Sequence, residues 1–206
     1  FFALYANIDG FDYSEDLIPI KKRMELDRWI LSELNTVINK VEISYESYEP
    51  TAAARLIQDF VINKLSNWHV RLSRRRFWKG EYGTDKIAAY QTLYECLESI
   101  AIIAAPIAPF FMDRLFQDLN TVSKKNTARS VHLTDFPIFN SLDINTNLER
   151  RMSLAQNITS LALSLRKKEG LRVRQPLQKI MIPVLNDTTK KDIDSISAII
   201  KSELNI

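Results

Sequence analysis

The stretch "SNWHVRLSRRRFWKG", residues 66–80, holds Arg71, Arg74, Arg75, Arg76 and Lys79, with Trp68 and Trp78 among them and no acid. A guanidinium fork can grip two phosphate oxygens at once. An indole ring, or the guanidinium plane itself, can stack on an unpaired base. Together these residue types suggest chemistry directed at a polyanion, and at single-stranded nucleic acid in particular. The competing reading is a solvated helix end, where cations are welcome and pair with nearby acids.

On a helical wheel of about 100° per residue, Ala54, Ile57, Val61, Leu65, Trp68 and Leu72 form one apolar stripe. That places Trp68 in the core. Lys64, Asn67, Arg71, Arg74 and Trp78 share a flank of the stripe. Arg75 sits at the stripe's C-terminal end, and Arg76 points to the opposite flank. A second basic stretch, "RKKEGLRVRQPL" at 166–177, carries Arg172 and Arg174, which share a side if the chain is extended. They could grip a phosphate backbone or guard a sheet edge with charge. The net charge of the chain is only +3, so its basicity is local.

Candidates for catalysis are few. There is no phosphate-binding GxxxxGK[ST] loop, no GxGxxG and no GxSxG. His69 and His132 lack metal or triad spacing, and His69 is expected on a helix surface. The acids are scattered through helical patterns and read mostly as solvated faces. A single cysteine, Cys96, excludes an intrachain disulfide and fits a reducing compartment. No run reaches the ~18 apolar residues of a membrane span. The opening "FFALYANIDG" has neither an initiator methionine nor a signal-peptide pattern, and reads as a piece of a longer protein.

The elements that must position these residues are long helices. Apolar residues recur at helical spacing over 24–47 (Leu26, Trp29, Ile30, Leu34, Val37, Ile38, Val41). A second helix is expected from Pro50 to Trp78, ended by Gly80 and Gly83. A third begins at a Thr84-Asp85 cap, with Ile87, Tyr90, Leu93, Tyr94, Leu97, Ile100, Ala101 and Ala104 inward. Pro106 and Pro109 break it, and a fourth helix follows to about Asn120. "SVHLTDFP" reads as an extended tail. Helices over about 147–168 and 187–203 flank a β-rich run at Lys179–Leu185. The fold class is therefore mainly α: a helical bundle, then the start of a small α+β module. The boundary falls at 140/141, with residues 1–20 as a lead-in. From the residues alone, an RNA-binding module and a helical protein–protein scaffold both remain open.

In order along the chain come "LDRWILSELN", "YEPTAAARLIQDFV", "LSNWHVRLSRRRFWKG", "YQTLYECL", "APIAPFFMDRLFQDL", "SVHLTDFP" and "LRVRQPL". This series resembles the C-terminal part of isoleucyl-tRNA synthetases, most of all the branch containing the eukaryotic enzymes. Valyl, leucyl and methionyl relatives share the bundle but not the whole tryptophan–arginine run. The resemblance implies the class Ia anticodon-binding bundle, with the anticodon stem-loop of isoleucine tRNA as partner. With that partner, the residues expected to contact RNA are the basic and aromatic candidates above: Lys64, Asn67, Arg71, Arg74, Arg75, Trp78, Arg172 and Arg174. It also implies catalytic and editing domains elsewhere in the same chain, whose HIGH-like and KMSKS-like signatures are not found here. These residues are then expected to bind no cofactor, while the parent enzyme uses ATP and magnesium, with zinc elsewhere in its chain. The cytoplasm is the expected location. One departure is His69, where the family usually carries tyrosine.

Overall fold

The computed structural model describes residues 1–79, 81–184 and 186–206. The expected helix end at Gly80, and Leu185 of the expected strand, lie outside the described residues. The chain forms two compact units, Phe1–Ile144 and Asn145–Ile206.

In the first unit, α1 (Phe2–Asp9) is a short lead-in and α2 spans Glu25–Glu46. The next long helix is one continuous rod with three windings: α3 (Pro50–Asp59), a wider π segment (Phe60–Val70) and α4 (Arg71–Lys79). Pro50 takes the first turn of α3, where its missing N–H costs nothing. Then come α5 (Thr84–Ala104) and α6 (Pro109–Ser123). The chain breaks between these two, at Pro106 and Pro109, as expected. Tyr48, at a positive φ of 57°, turns the chain from α2 into α3.

The π segment alters the register of the rod. Beside the buried Trp68, one buried row runs through Ala53, Ile57, Phe60, Leu65, His69, Ser73 and Phe77. Every step in that row is three or four residues except one, Phe60 to Leu65, which is five. A wheel drawn at constant pitch cannot contain that step. Trp68 lies inside as expected, but Ala54, Val61 and Leu72 are only half-buried, and His69 is fully buried rather than on the surface.

α5 is the central helix, buried on far more than the one face expected. Ala88, Ala89, Tyr90, Gln91, Thr92, Cys96 and Ile103 are all inside. Its polar residues hold the lead-in. Gln91 accepts from the Ile18 N–H (2.9 Å) and donates to the Asp16 carbonyl (3.0 Å). Arg23 donates to Thr92 (2.9 Å) and to Glu95 (2.9 Å). α5 starts directly after Gly83, without the Thr84-Asp85 side-chain cap; Asp85 is engaged by Arg76 instead. "SVHLTDFP" is not simply extended: Val131–Leu133 makes one tight turn. Asp113 accepts from the Ser130 hydroxyl (2.7 Å) and the Val131 N–H (2.9 Å), which seats Val131 against Ala101, Ala105 and Phe116.

The second unit pairs α7 (Thr146–Lys168) with α8 (Asp187–Leu204). Leu148, Met152, Ala155 and Thr159 meet Ile196, Ile200 and Leu204 at helical spacing. The expected strand does not form: among the described residues, 179–184 is irregular and no residue belongs to a strand. A strand needs a second strand to satisfy its backbone groups, and the described residues offer none. The observed class is thus mainly α throughout.

Trp68 is 4% exposed on the inner face of the rod. Trp68→Ala should lower stability by about 3–5 kcal/mol, read as a fall in melting temperature and denaturant midpoint. Melting at the wild-type temperature would contradict the burial.

Candidate nucleic-acid interface

α4 divides its arginines between two sides of the helix. Ser73 and Phe77 are buried, and Phe77 packs against Tyr90 (4.9 Å between ring centroids) and Phe1 (5.1 Å). With those two inward, Arg71, Arg74, Arg75 and Trp78 are exposed. Asn67, Arg71, Arg74 and Trp78 follow one another at intervals of four, three and four and make a single row. Arg71 donates to the Asn67 carbonyl (2.8 Å) and lies over the Trp68 ring at 5.5 Å. Arg74 lies over the Trp78 ring at 6.0 Å. These contacts hold the guanidinium planes beside indoles, and Trp78 keeps 53% of its surface in solvent. Such a row offers both phosphate forks and a stacking face.

Two of the expected placements change. Lys64 does not belong to the open row. It is half-buried and ion-paired with Glu33, whose other oxygen accepts from the Trp29 indole (3.2 Å). Arg172 and Arg174 lie in the second unit, not on an extended segment but on a turn closed by the Gln175 N–H bonding to the Arg172 carbonyl (3.0 Å). Both remain exposed.

Arg76, Asp27 and His69 were the residues that sequence reasoning missed. Arg76 turns inward and takes Asp27 as a bidentate partner, Nη1 to Oδ1 at 2.8 Å and Nη2 to Oδ2 at 2.7 Å. It also donates to both oxygens of Asp85 (2.8 and 3.0 Å). His69 Nε2 lies 3.0 Å from Asp27 Oδ1, with both side chains fully buried. Burial pushes the Asp27 pKa up, but the bonds from His69 and Arg76 outweigh it and hold the carboxyl below its ordinary value. A signal was available. Asp27 falls on the α2 core stripe, three residues before Ile30 and seven before Leu34, and a carboxylate there requires a buried cation.

Other candidate chemistry is closed. Cys96 is fully buried, and burial pushes its thiol pKa well up. Among the described residues no group of three His, Cys, Asp or Glu could hold a metal, and no helix is long and apolar enough to cross a membrane.

The fold is an all-helical bundle that presents an arginine–tryptophan row on one long rod. Residues 27–181 match the family model "anticodon-binding domain of tRNA ligase", and the chain belongs to that family. It is 57% identical over all 206 residues to isoleucine-tRNA ligase of Cytophaga hutchinsonii, covering 19% of that protein. It is 53% identical to the Bacteroides thetaiotaomicron ligase, with 18% covered, and 37% identical to that of Thermus thermophilus, with 20% covered. The chain spans about a fifth of the length of these relatives.

The two classes of arginine should separate in mutants. Arg74→Ala and Arg75→Ala should each change stability by no more than about 0.5 kcal/mol. Asp27→Asn should cost about 3–5 kcal/mol, because it removes a buried, bidentate carboxylate and leaves Arg76 only the exposed Asp85 as counter-ion. A carboxyl with a depressed folded pKa contributes stability that is fully present above the ordinary value near ~3.9. That stability is lost as pH falls through the folded value. Thermal melts from pH 6 downward should therefore lose stability less steeply in Asp27→Asn than in wild type. Identical acid limbs would remove Asp27 from this role.

Proposed function

We propose that this chain holds the anticodon stem-loop of isoleucine tRNA within an isoleucine-tRNA ligase. The exposed row of Asn67, Arg71, Arg74 and Trp78, with Arg74 over the Trp78 ring, is the observation that carries this reading. Phosphate contacts from the arginines position the loop. Trp78 stacks on a splayed base, since bases of a single-stranded loop are the part of RNA that side chains can read. Arg75 adds charge beside the row, and Arg172 and Arg174 supply a second set of contacts from the other unit. The identities to isoleucine-tRNA ligases along the whole chain support the choice of amino acid. Adenylate formation with ATP and magnesium, transfer to tRNA, editing and any bound zinc belong to other parts of the parent enzyme, which acts in the cytoplasm.

The decisive measurement is tRNA affinity against salt for single variants, with melting temperature recorded alongside. Arg74→Ala should flatten the slope of log affinity against log salt by about 0.7 for each phosphate it no longer neutralises. Trp78→Ala should weaken binding by about 1–3 kcal/mol. Isoleucine tRNA should be preferred over a non-cognate tRNA and over polyglutamate. Unchanged affinity and slope in both variants, with the fold intact, would reduce the row to a solvated face. Preference for the acidic polymer would instead favour a protein partner. The 206-residue chain alone should show no isoleucine-dependent pyrophosphate exchange, and exchange above background would place adenylate chemistry inside it.

A further inference from the structure

The second unit contains a buried cation with no counter-ion. Arg166, in the last turn of α7, is 4% exposed. Its Nη2 donates to three backbone carbonyls: Gln175 (2.6 Å), Val173 (3.2 Å) and Leu204 (3.2 Å). Nε and Nη1 are buried and meet no acceptor. Among the described residues it forms no ion pair. A buried guanidinium normally has a carboxylate beside it, as Arg23 has Glu95, because carbonyl dipoles offset only part of the lost hydration.

Arg166 lies under an open groove, with Lys167, Gly170, Arg172 and Val173 along it. Lys167 and Arg172 are exposed at its rim, and Lys168 and Arg174 are exposed nearby in sequence. From 166 to 174 the chain carries five cations and one acid, Glu169. The C-terminus of α7 contributes only about half a negative charge, and its cap is closed: the Leu171 N–H bonds the Arg166 carbonyl (2.8 Å) and Gly170 sits at φ 66°. Local charge is therefore strongly positive in a place where one cation is shielded from water.

We propose that this groove is a phosphate site for the RNA backbone, with Lys167 and Arg172 as its contacts and Arg166 as the uncompensated charge beneath them. The proposal rests on the tRNA-binding reading and adds a site to it. An unscreened charge under the floor attracts an anion more strongly than surface lysines alone. Several exposed cations in one short stretch suit the successive phosphates of a polyanion better than one carboxylate. The matched family region, 27–181, includes all of these residues.

The test follows the Nε–H resonance of Arg166 in the 206-residue chain, labelled with 15N-arginine and assigned by its loss in Arg166→Lys. Inorganic phosphate, a mixed-sequence single-stranded RNA and polyglutamate are titrated in turn. The resonance should move with phosphate and with RNA. Lys167→Ala with Arg172→Ala should abolish the movement and flatten the RNA salt slope by about 1.4, two phosphates at about 0.7 each. Neither exposed side chain holds the fold, so melting temperature should stay at the wild-type value. Movement with phosphate alone would mean an adventitious ion only, and equal movement with polyglutamate would mean an acidic protein partner; each overturns the proposal. A silent Arg166 while Trp78→Ala still weakens RNA binding would overturn this site and leave the anticodon reading standing. If wild type bound no RNA at all, both would fall.

Discussion

The buried carboxylate of Asp27 governs the geometry of the first unit. It accepts from Arg76 at 2.8 and 2.7 Å and lies 3.0 Å from His69, so one group ties α2 to the π segment and α4. Through Arg76 it reaches Asp85 at the start of α5. A bidentate guanidinium fixes distance and angle together, which a hydrophobic contact does not. The rotation of α4 about its axis is therefore set by Arg76. With Arg76 and Phe77 inward, the neighbours at 71, 74, 75 and 78 must face water. The exposed row is a consequence of the buried pair.

The π segment makes that arrangement possible. At constant pitch, a stripe through Leu65 and Trp68 runs on to Leu72 and leaves Arg76 on a flank. The five-residue step from Phe60 to Leu65 turns the following residues so that His69, Ser73 and Phe77 become the buried row. His69, expected on a helix surface, is then an inward residue. It fills a buried position and puts a ring nitrogen on Asp27, as a phenol or indole at that point could also do with its polar tip.

Much of the fold was legible because it rests on local periodicity. The α2 stripe, Pro50 at a helix start, the break at Pro106 and Pro109, and the two helices of the second unit follow from spacing and proline chemistry. The outward row Asn67, Arg71, Arg74 and Trp78 was legible too, since Asn67 lies near the end of the π segment and the other three follow it in α4. What escaped depends on partners distant in sequence. Lys64 meets Glu33 across 31 residues and Arg76 meets Asp27 across 49, and neither spacing is visible on a wheel. The run at 179–184 has strand composition, but composition cannot supply the second strand.

The half-buried Arg76 and the buried Arg166 show how the same residue type is used in opposite ways. Arg76 has two carboxylates, and its charge is spent inside the bundle, where it supports position. Among the described residues Arg166 meets carbonyls alone, which satisfy Nη2 and put no carboxylate against its charge. A carboxylate beside Arg166 would have stabilised the second unit by the same logic that stabilises the first. On the proposal above, a polyanion seated at the groove supplies the negative charge that no described residue places beside Arg166.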